Sequence, residues 1–288
     1  MPPARQTTLD PAPPRYAPDD AGIAAFRAMV LARYRESGRR LPWRETTDPY
    51  RILVSEIMLQ QTQVDRVAAK YPAFLREFPD FGALAAAPLD RILRAWQGMG
   101  YNRRAIALQR CARRVVDEFG GILPADPAIL ATFPGIGPAT AASVCAFAFD
   151  LPVVFIETNI RRVFIHFFFD DAATVHDAEI LPLAAQALDR ICPRDWYNAL
   201  MDLGTGLRGA IPNPNRRSVH YAKQSAFEGS DRQVRGAVLR LLAARGRMTP
   251  AAICREAGEN RERVGRILAD LEEEGFIVRK GRTIVLAS

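Results

Sequence analysis

Cysteine is scarce in this sequence, and its positions do not suit a metal cluster. The four cysteines of the 288-residue chain stand at 111, 145, 192 and 254. The ligands of zinc and iron–sulfur sites usually lie only a few residues apart, so this spacing argues against both. We expect four reduced packing residues, as in a cytosolic protein, and no cofactor, no metal and no iron–sulfur cluster.

A long apolar run is also absent. No run approaches the roughly 18 residues that predict a membrane-spanning helix. The chain begins with proline and polar residues, without the apolar segment that is typical of a signal peptide. We therefore expect a cytoplasmic protein that makes no membrane contact.

Lysine is rare, so arginine carries nearly all of the positive charge. Lysine occurs only at 70, 223 and 280, while the net charge is +7 and the isoelectric point is about 9.6. The guanidinium fork suits phosphates and base edges, which makes nucleic acid the first partner to consider. A GC-rich genome also favours arginine codons, and composition alone leaves both explanations open.

Strand-like alternation is missing from most of the sequence, and helical periodicity takes its place. Residues 1 to about 20 carry six prolines and are expected to be disordered. A helix at 21–37 is followed, up to residue 206, by a long series of helical segments with short connections that contain glycine or proline. The pattern predicts a mainly α fold.

The composition changes after residue 206. The stretch 207–230 contains Pro, Asn and Ser but little periodicity, so we interpret it as an extended connector. The segment 231–288, the tail, predicts a separate unit. Its helices are expected at 231–244, 249–258 and 260–274, followed by two short strands around a Lys-Gly turn. Three helices and a β-hairpin are typical of a winged helix.

The stretch 133-FPGIGPAT-140 predicts a hairpin between two helices. Two glycines permit a tight turn with positive φ, and the aliphatic residue between them would fill the gap between the helices. The N–H groups of the turn and of the next helix start would bind a DNA phosphate without regard to sequence. An ordinary corner between two helices is the alternative. The predicted contacts are Gly135, Ile136, Gly137, Ala139 and Thr140.

A single carboxylate, Glu56, lies in the apolar run 54-VSEIMLQQTQV-64, where packing has no use for it. This run and four other stretches together resemble the helix-hairpin-helix DNA glycosylases, most closely the MutY-type adenine glycosylases. The resemblance covers roughly residues 22–207. The other stretches are, in chain order, 41-LPWR-44, 96-WQGMGYNRRA-105, 133-FPGIGPAT-140 and 156-IETNIRRV-163.

The resemblance implies a two-lobed helical fold with a cleft that faces DNA. One lobe would comprise about 48–148, and the other 21–47 with 149–206, which makes 21–206 the glycosylase core. The implied partner is double-stranded DNA that contains a mismatched or damaged base, bound by a monomer.

The resemblance also implies catalytic roles. Glu56 would protonate the adenine so that it can leave, with a pKa raised by its apolar neighbours. A buried ion pair or a cap on a neighbouring helix is the structural alternative for this residue. Glu157 would stabilise the sugar cation and position the attacking water, and Asn159 would support that carboxylate.

Other matching residues are expected to bind DNA. Gln60 or Gln61 would wedge into the base stack where the base is flipped out, and Tyr101 would insert on the other side. Further contacts are expected from Arg44 and Arg103. Outside the matching region, Arg261 and Arg263 of the tail are expected to reach phosphates or the major groove.

Two features of the core depart from the family pattern. Glu157 stands where the family usually has Asp, and its extra methylene can shift the carboxylate in a crowded site. The alternative role is that of a helix N-terminal carboxylate. The family usually has four cluster-binding cysteines after 199-ALMDLG-204, whereas 205–230 contains none. Packing and hydrogen bonds must hold this loop instead. Its basic residues, which either contact phosphates or are solvated, are Arg208, Arg216, Arg217, His220 and Lys223.

The tail is a third departure. MutY-type enzymes carry a further domain there that reads 8-oxoguanine opposite the adenine. The basic residues of the tail would reach DNA, or the tail is a module for docking to protein. Its acidic run 272–274 is expected to face elsewhere or to dock on the main body.

The position after the hairpin glycines bears on the reaction. Related glycosylase/lyases have a lysine nucleophile there, and this chain has Ala139, so a Schiff base with the sugar is not expected. The sequence thus predicts a monofunctional DNA N-glycosylase that removes adenine mispaired with 8-oxoguanine or guanine. The alternatives are a T/G or U/G mismatch glycosylase and a non-catalytic DNA-binding protein on the same scaffold.

Overall fold

The computed structural model describes residues 15–169, 172–223 and 226–287. Most of the segment predicted to be disordered lies outside these residues. The helices are α1 (Asp20–Ser37), α2 (Pro49–Leu59), α3 (Val64–Glu77), α4 (Phe81–Ala86), α5 (Leu89–Ala95), α6 (Arg103–Phe119), α7 (Pro127–Leu130), α8 (Pro138–Phe149), α9 (Thr158–Phe168), α10 (Asp177–Ala187), α11 (Pro193–Leu207), α12 (Asp231–Arg245), α13 (Pro250–Ala257) and α14 (Arg261–Glu273). Short 3-10 helices span Pro42–Arg44 and Pro214–Arg217, and the strands are β1 (Arg247–Met248), β2 (Ile277–Lys280) and β3 (Thr283–Leu286).

The mainly α fold is confirmed, and the limits of α1 and of the three tail helices lie within about one residue of the predicted ones. Helix α10 ends at Ala187. The Asp189 carboxylate accepts the N–H groups of Ile191 (2.9 Å) and Cys192 (3.1 Å) and starts a turn there. Cys192 is exposed, so the prediction that it is a packing residue is wrong.

The described chain divides into two compact units. Unit one contains residues 15–52, 125–132 and 136–223, and unit two contains 53–124, 133–135 and 226–287. This division differs from the predicted lobes. Helices α7 and α8 and the first residues of α2 belong to unit one, and the tail belongs to unit two together with α3 to α6.

Unit one is built around an aromatic core. The Phe26 ring of α1 lies 5.6 Å from the Phe164 ring of α9 and 6.0 Å from the Trp196 ring of α11, between centroids. All three side chains are buried. The apolar positions of each helix recur at helical spacing, so each helix turns one stripe towards this core. Helix α9, which begins immediately after Glu157, is therefore fixed along its length.

An ion-pair network connects α11 to the segment after α1. The Asp202 carboxylate accepts hydrogen bonds from Arg39 (2.6 Å) and from two nitrogens of Arg44 (2.8 and 2.9 Å). Burial disfavours the charged carboxylate, but the bonds from Arg44 and Arg39 outweigh it and lower the pKa of Asp202. The Arg44 side chain is only 8% exposed. This side chain, predicted to contact DNA, is therefore buried and paired with Asp202 in the structure.

Unit two joins a helical lobe to the tail. Trp96 packs edge-on to Phe74 in the lobe, with ring centroids 5.8 Å apart. The tail contributes α12 to α14 and a three-stranded antiparallel sheet in the order β1-β3-β2. Helix α12 contacts α5, where Arg94 donates to the carbonyl of Ala243. Strand β1 was not predicted, because two residues are too short to show alternation. The winged-helix assignment of the tail stays a prediction.

The helices were compared with the length and hydropathy that a membrane-spanning helix needs. Within residues 15–169, 172–223 and 226–287, no helix is both long and apolar enough to cross a bilayer.

The Asp202 network generates a test of stability. Because Asp202→Asn leaves a buried Arg44 without its carboxylate, we expect a loss of about 2 to 4 kcal/mol in the free energy of unfolding at pH 7. The folded pKa of Asp202 is depressed, so its contribution is present above its ordinary pKa and is lost as the pH falls through the folded value. Chemical denaturation from pH 7 down to pH 3 measures both effects.

The matched control is Asp195→Asn on the same helix, at an exposed position. We expect this variant to stay within about 0.5 kcal/mol of the wild type. An equal loss in the two variants, or a loss for Asp202→Asn that does not shrink in acid, would contradict the assignment.

Candidate active site

Glu56 is a partly exposed residue in a helix whose second half is otherwise mostly buried. In α2, Leu53 and Val54 are fully buried and Ile57 is nearly so. Glu56 is partly exposed, and so is Gln60 four residues further on. Residues four apart share a face of a helix, so the carboxylate and the amide are on the same side. The structure thus leaves Glu56 accessible where its neighbours are packed.

The guanidinium of Arg104 closes the end of α2. Its Nη1 donates to the carbonyls of Ile57 (2.9 Å), Met58 (2.8 Å) and Gln60. Its Nη2 donates to the carbonyls of Met99 and Gly100, both at 3.1 Å. The last carbonyls of a helix have no partner within the helix, and here a cation supplies it. Burial lowers the pKa of Arg104 to about 10, which still leaves it charged at neutral pH.

Two residues predicted to enter the base stack hold unusual backbone conformations. Gln61 has φ +54 and Tyr101 has φ +46, in the left-handed region that is sparsely populated by residues other than glycine. Each follows a residue whose carbonyl is bound by Arg104, namely Gln60 and Gly100. Such strain persists only where the surroundings fix it. One buried cation therefore secures both loops.

The predicted hairpin is present, with one difference at its second glycine. Gly135 has φ +73, and a Cβ there would lie 2.8 Å from that of Ala107, so both conformation and space require glycine. Gly137 has φ −85, which any residue can adopt, and it is the N-cap of α8. Ile136 is buried, as predicted. Ala139 and Thr140 follow in the first turn of α8, where backbone N–H groups point out of the helix.

Glu157 is the N-cap of α9. Its Oε1 accepts the backbone N–H groups of Asn159 (2.5 Å) and Ile160 (2.8 Å). The second oxygen, Oε2, lies 3.4 Å from the Asn159 amide nitrogen. Burial raises the pKa of Glu157, and the capping bonds with the nearby cations Arg162 and Arg161 counteract this in part. One oxygen thus caps the helix while the other faces the Asn159 amide.

Asn159 is oriented by a buried arginine. Arg162 donates to the Asn159 amide oxygen (2.8 Å) and to the carbonyl of Gly204 on α11 (2.6 Å), which directs the amide nitrogen towards Glu157. A Cβ on Gly204 would lie 2.6 Å from the Asn159 Cβ, so the approach of α11 to α9 requires glycine here. Glu157, Asn159, Arg162 and Gly204 therefore form one constellation within unit one.

The loop after α11 does not fit an iron–sulfur cluster. Asn215 donates to the carbonyl of Thr158 (2.9 Å), and Arg217 donates to the carbonyls of Phe169 and Ile165. Residues 175 and 218 also pair as an isolated bridge. The loop is held by hydrogen bonds to α9 and to the residues after it. In the part of the chain that the structure describes, no group of three His, Cys, Asp or Glu side chains is arranged to hold a metal ion.

Two of the four predicted arginine contacts are engaged within unit two. Arg103 forms a two-bonded ion pair with Glu274 of the tail (2.6 and 2.8 Å). Arg263 donates to Asp231 (2.8 Å) and Glu259 (3.2 Å). Arg261 is exposed. Their contacts with DNA, like those of Gln60, Gln61 and Tyr101, stay predictions.

Sequence reasoning missed Arg104, Arg162 and Gly204. A signal existed for both arginines, because each lies on the apolar stripe of its helix. Arg104 shares a stripe with the buried residues Leu108 and Cys111. A charge on such a stripe indicates a buried cation with several acceptors. For Gly204 no local signal exists, because its role comes from the approach of another helix.

Comparisons with known proteins identify the family of the chain. The model of the HhH-GPD superfamily of base excision DNA repair proteins matches residues 54–259, and the chain belongs to this family. An adenine DNA glycosylase of Mycobacterium tuberculosis is 36% identical over 241 residues, covering 75% of this chain and 77% of the relative. The human adenine DNA glycosylase is 34% identical over 198 residues, covering 65% of this chain and 36% of the relative.

Solved structures show the same fold. A thermostable thymine-DNA glycosylase matches with a TM-score of 0.59 and 29% identity, over 63% of this chain and 85% of that one. A trapped endonuclease III–DNA covalent intermediate matches with a TM-score of 0.52 and 17% identity, over 66% and 85%. At that identity the second likeness concerns the fold alone.

The buried arginine yields a prediction for the two loops. In Arg104→Lys a single ammonium cannot reach the acceptors that the fork binds, so we expect the free energy of unfolding to fall by about 2 to 4 kcal/mol. The matched control is Arg110→Lys, exposed on the same helix, with an expected change within about 0.5 kcal/mol. Denaturant titration of both variants is the measurement. Equal stabilities would contradict the role given to Arg104.

Proposed function

We propose that this protein is a monofunctional DNA N-glycosylase of base excision repair that removes adenine mispaired with 8-oxoguanine or guanine. The observation that carries the proposal is a pair of carboxylates in different settings. Glu56 is accessible on an otherwise buried helix, and Glu157 is fixed by its own helix start. Relatives named adenine DNA glycosylase support the choice of base.

In the proposed mechanism Glu56 is the general acid. It donates a proton to a ring nitrogen of adenine, and the electrons of the breaking N-glycosidic bond pass to the base. The base leaves as neutral adenine, and a positive charge develops on the sugar. This role requires Glu56 to hold its proton until the base is bound.

Glu157 is assigned to the sugar. Its Oε2, next to the Asn159 amide, would lie near the developing cation and accept a proton from the attacking water. Water adds to the anomeric carbon, and an abasic site remains. Ala139 offers no amine for attack on the sugar, so no lyase step is proposed. Glu157 must be ionised for this work, and its pKa is raised, so we expect the rate to fall in mild acid.

DNA contact would use backbone groups and the two strained loops. The hairpin and the first turn of α8 present N–H groups suited to phosphate. Gln61 and Tyr101, at left-handed loop positions, would fill the gap from which the adenine is extruded. We propose that the protein acts on double-stranded DNA as a monomer, in the cytoplasm and without an iron–sulfur cluster.

A thymine mismatch glycosylase is the second candidate. The likeness to a thermostable thymine-DNA glycosylase, at 29% identity, favours it. The assay that separates the two candidates uses duplexes with A opposite 8-oxoguanine, A opposite G, T opposite G and U opposite G, followed by alkali. Product from the adenine duplexes supports the first candidate, and product from T or U alone supports the second.

Glu56→Gln tests the general acid. The amide cannot donate a proton of the required acidity, so we expect a single-turnover rate about 100 to 10,000 times lower on the preferred adenine duplex. Binding of the duplex should change little. The matched control is Glu36→Gln, at an exposed position of α1, which should keep the wild-type rate. Unchanged turnover in Glu56→Gln would exclude this role.

Two variants of Glu157 separate its cap from its charge. Glu157→Gln keeps an oxygen that can cap α9, so stability should stay within about 1 kcal/mol. It removes the negative charge, so the rate should fall about a hundredfold or more. Glu157→Asp keeps both the charge and a good N-cap, and should retain turnover. If Gln at this position turns over like the wild type, Glu157 is a cap only.

A further inference from the structure

The tail contacts the loop that carries Tyr101. Arg232, at the start of α12, donates from Nη1 to the phenol oxygen of Tyr101 (2.7 Å), and its guanidinium lies 5.8 Å from the ring centroid. The guanidinium of Arg104 lies 5.6 Å from the same centroid. Cations over an aromatic face attract it. The ring is therefore bound by one arginine from its own lobe and one from the tail.

A second contact fixes the same loop to the tail two residues later. Glu274, at the end of α14, accepts two bonds from Arg103 and one from Arg235 of α12 (2.6 Å). The bonds from Arg103 lower the pKa of Glu274, so the carboxylate is charged at neutral pH. The two parallel bonds from Arg103 fix direction as well as distance, and the bond from Arg235 joins the same carboxylate to α12. The tail is thus held against the start of α6.

The start of α12 is itself fixed, which gives Arg232 a defined position. The Arg263 guanidinium donates to the Asp231 carboxylate (2.8 Å) and to the carbonyl of Gly229. The Ser230 hydroxyl caps the helix by accepting the N–H of Gln233. A long side chain loses its freedom when its backbone and its tip are both held. Arg232 therefore reaches Tyr101 from a backbone position that is itself held by hydrogen bonds.

Tyr101 needs such support. It is an exposed aromatic residue with φ +46, preceded by two glycines that also have positive φ, Gly98 and Gly100. A glycine-rich loop is easily deformed. An aromatic ring that takes the place of a base in the stack must keep its position when that base tends to return. A hydrogen bond at the ring tip acts at the point farthest from the backbone.

We propose that Arg232 is a positioning residue for Tyr101, through which the tail takes part in extruding the base. The inference rests on the proposed function, because it assigns Tyr101 to the gap left by the flipped base. If Arg232 positions Tyr101, the tail contributes to the function of the lobe that carries Tyr101. Arg232 acts through the ring and needs no contact with DNA of its own.

The first experiment measures extrusion without chemistry. All variants carry Glu56→Gln, and the duplex carries 2-aminopurine beside the target adenine, because its fluorescence rises when the neighbouring base leaves the stack. We expect Arg232→Ala to reduce the extruded fraction about tenfold, the loss of one charge-assisted hydrogen bond. Arg232→Lys should restore part of it. Arg240→Ala, exposed on the same helix, is the matched control and should match the parent.

A double-mutant cycle tests whether Arg232 acts through the ring. In a Tyr101→Ala background, Arg232→Ala should cause no further loss of extrusion. A target adenine opposite an abasic analogue has no pairing partner and is extruded at a lower free-energy cost. The loss of extrusion caused by Arg232→Ala should therefore be smaller on that duplex. Thermal unfolding of each variant is measured alongside, and a midpoint close to that of Arg240→Ala is expected.

Several outcomes overturn the inference. One is an equal loss for Arg232→Ala with and without Tyr101. Another is weaker binding to every duplex with a salt dependence reduced by about one phosphate contact, which would make Arg232 a direct DNA ligand. A third is extrusion that equals the control. If the wild-type protein releases no base from any duplex, the proposed function fails, while the fluorescence assay still tests Arg232.

Discussion

The buried guanidinium of Arg104 lies where two loops meet the end of α2. A side chain of simpler geometry cannot replace it, because the guanidinium donates to carbonyls on both loops. Its pKa of about 10 keeps it charged at neutral pH. The two left-handed residues, Gln61 and Tyr101, each follow a carbonyl that it holds. Glu56 immediately precedes Ile57, the first residue whose carbonyl Arg104 binds. The positions of the proposed acid and of the proposed wedge residues therefore depend on one buried cation.

The second carboxylate follows a different logic. As the N-cap of α9, Glu157 spends one oxygen on backbone N–H groups and presents the other to Asn159. Arg162 orients Asn159, and Gly204 allows the helices to approach. The loop that follows is held by hydrogen bonds to the same helix, the task that the sequence left to packing and hydrogen bonds.

The tail shows how ion pairs determine which parts of a chain form one unit. Glu274 binds Arg103 of the lobe and Arg235 of the tail, and this joins two segments that the sequence pattern separates. Arg263 is engaged in the same way, within the tail. Both arginines had been expected on DNA. In the structure the guanidinium groups of Arg103 and Arg263 are paired with carboxylates of the same unit.

The sequence by itself determined the helices, the hairpin glycine at 135, the tail strands after 276 and the accessible carboxylate at 56. These depend on periodicity and turn chemistry, which act over a few residues. Tertiary structure alone decided which acceptors Arg44 and Arg104 bind, that Gly204 has no room for a Cβ, and that the tail lies on the lobe. Such features depend on partners distant in the chain. An arginine carries the same local pattern whether its acceptor is a phosphate, a carbonyl or a carboxylate, and only the fold chooses among them.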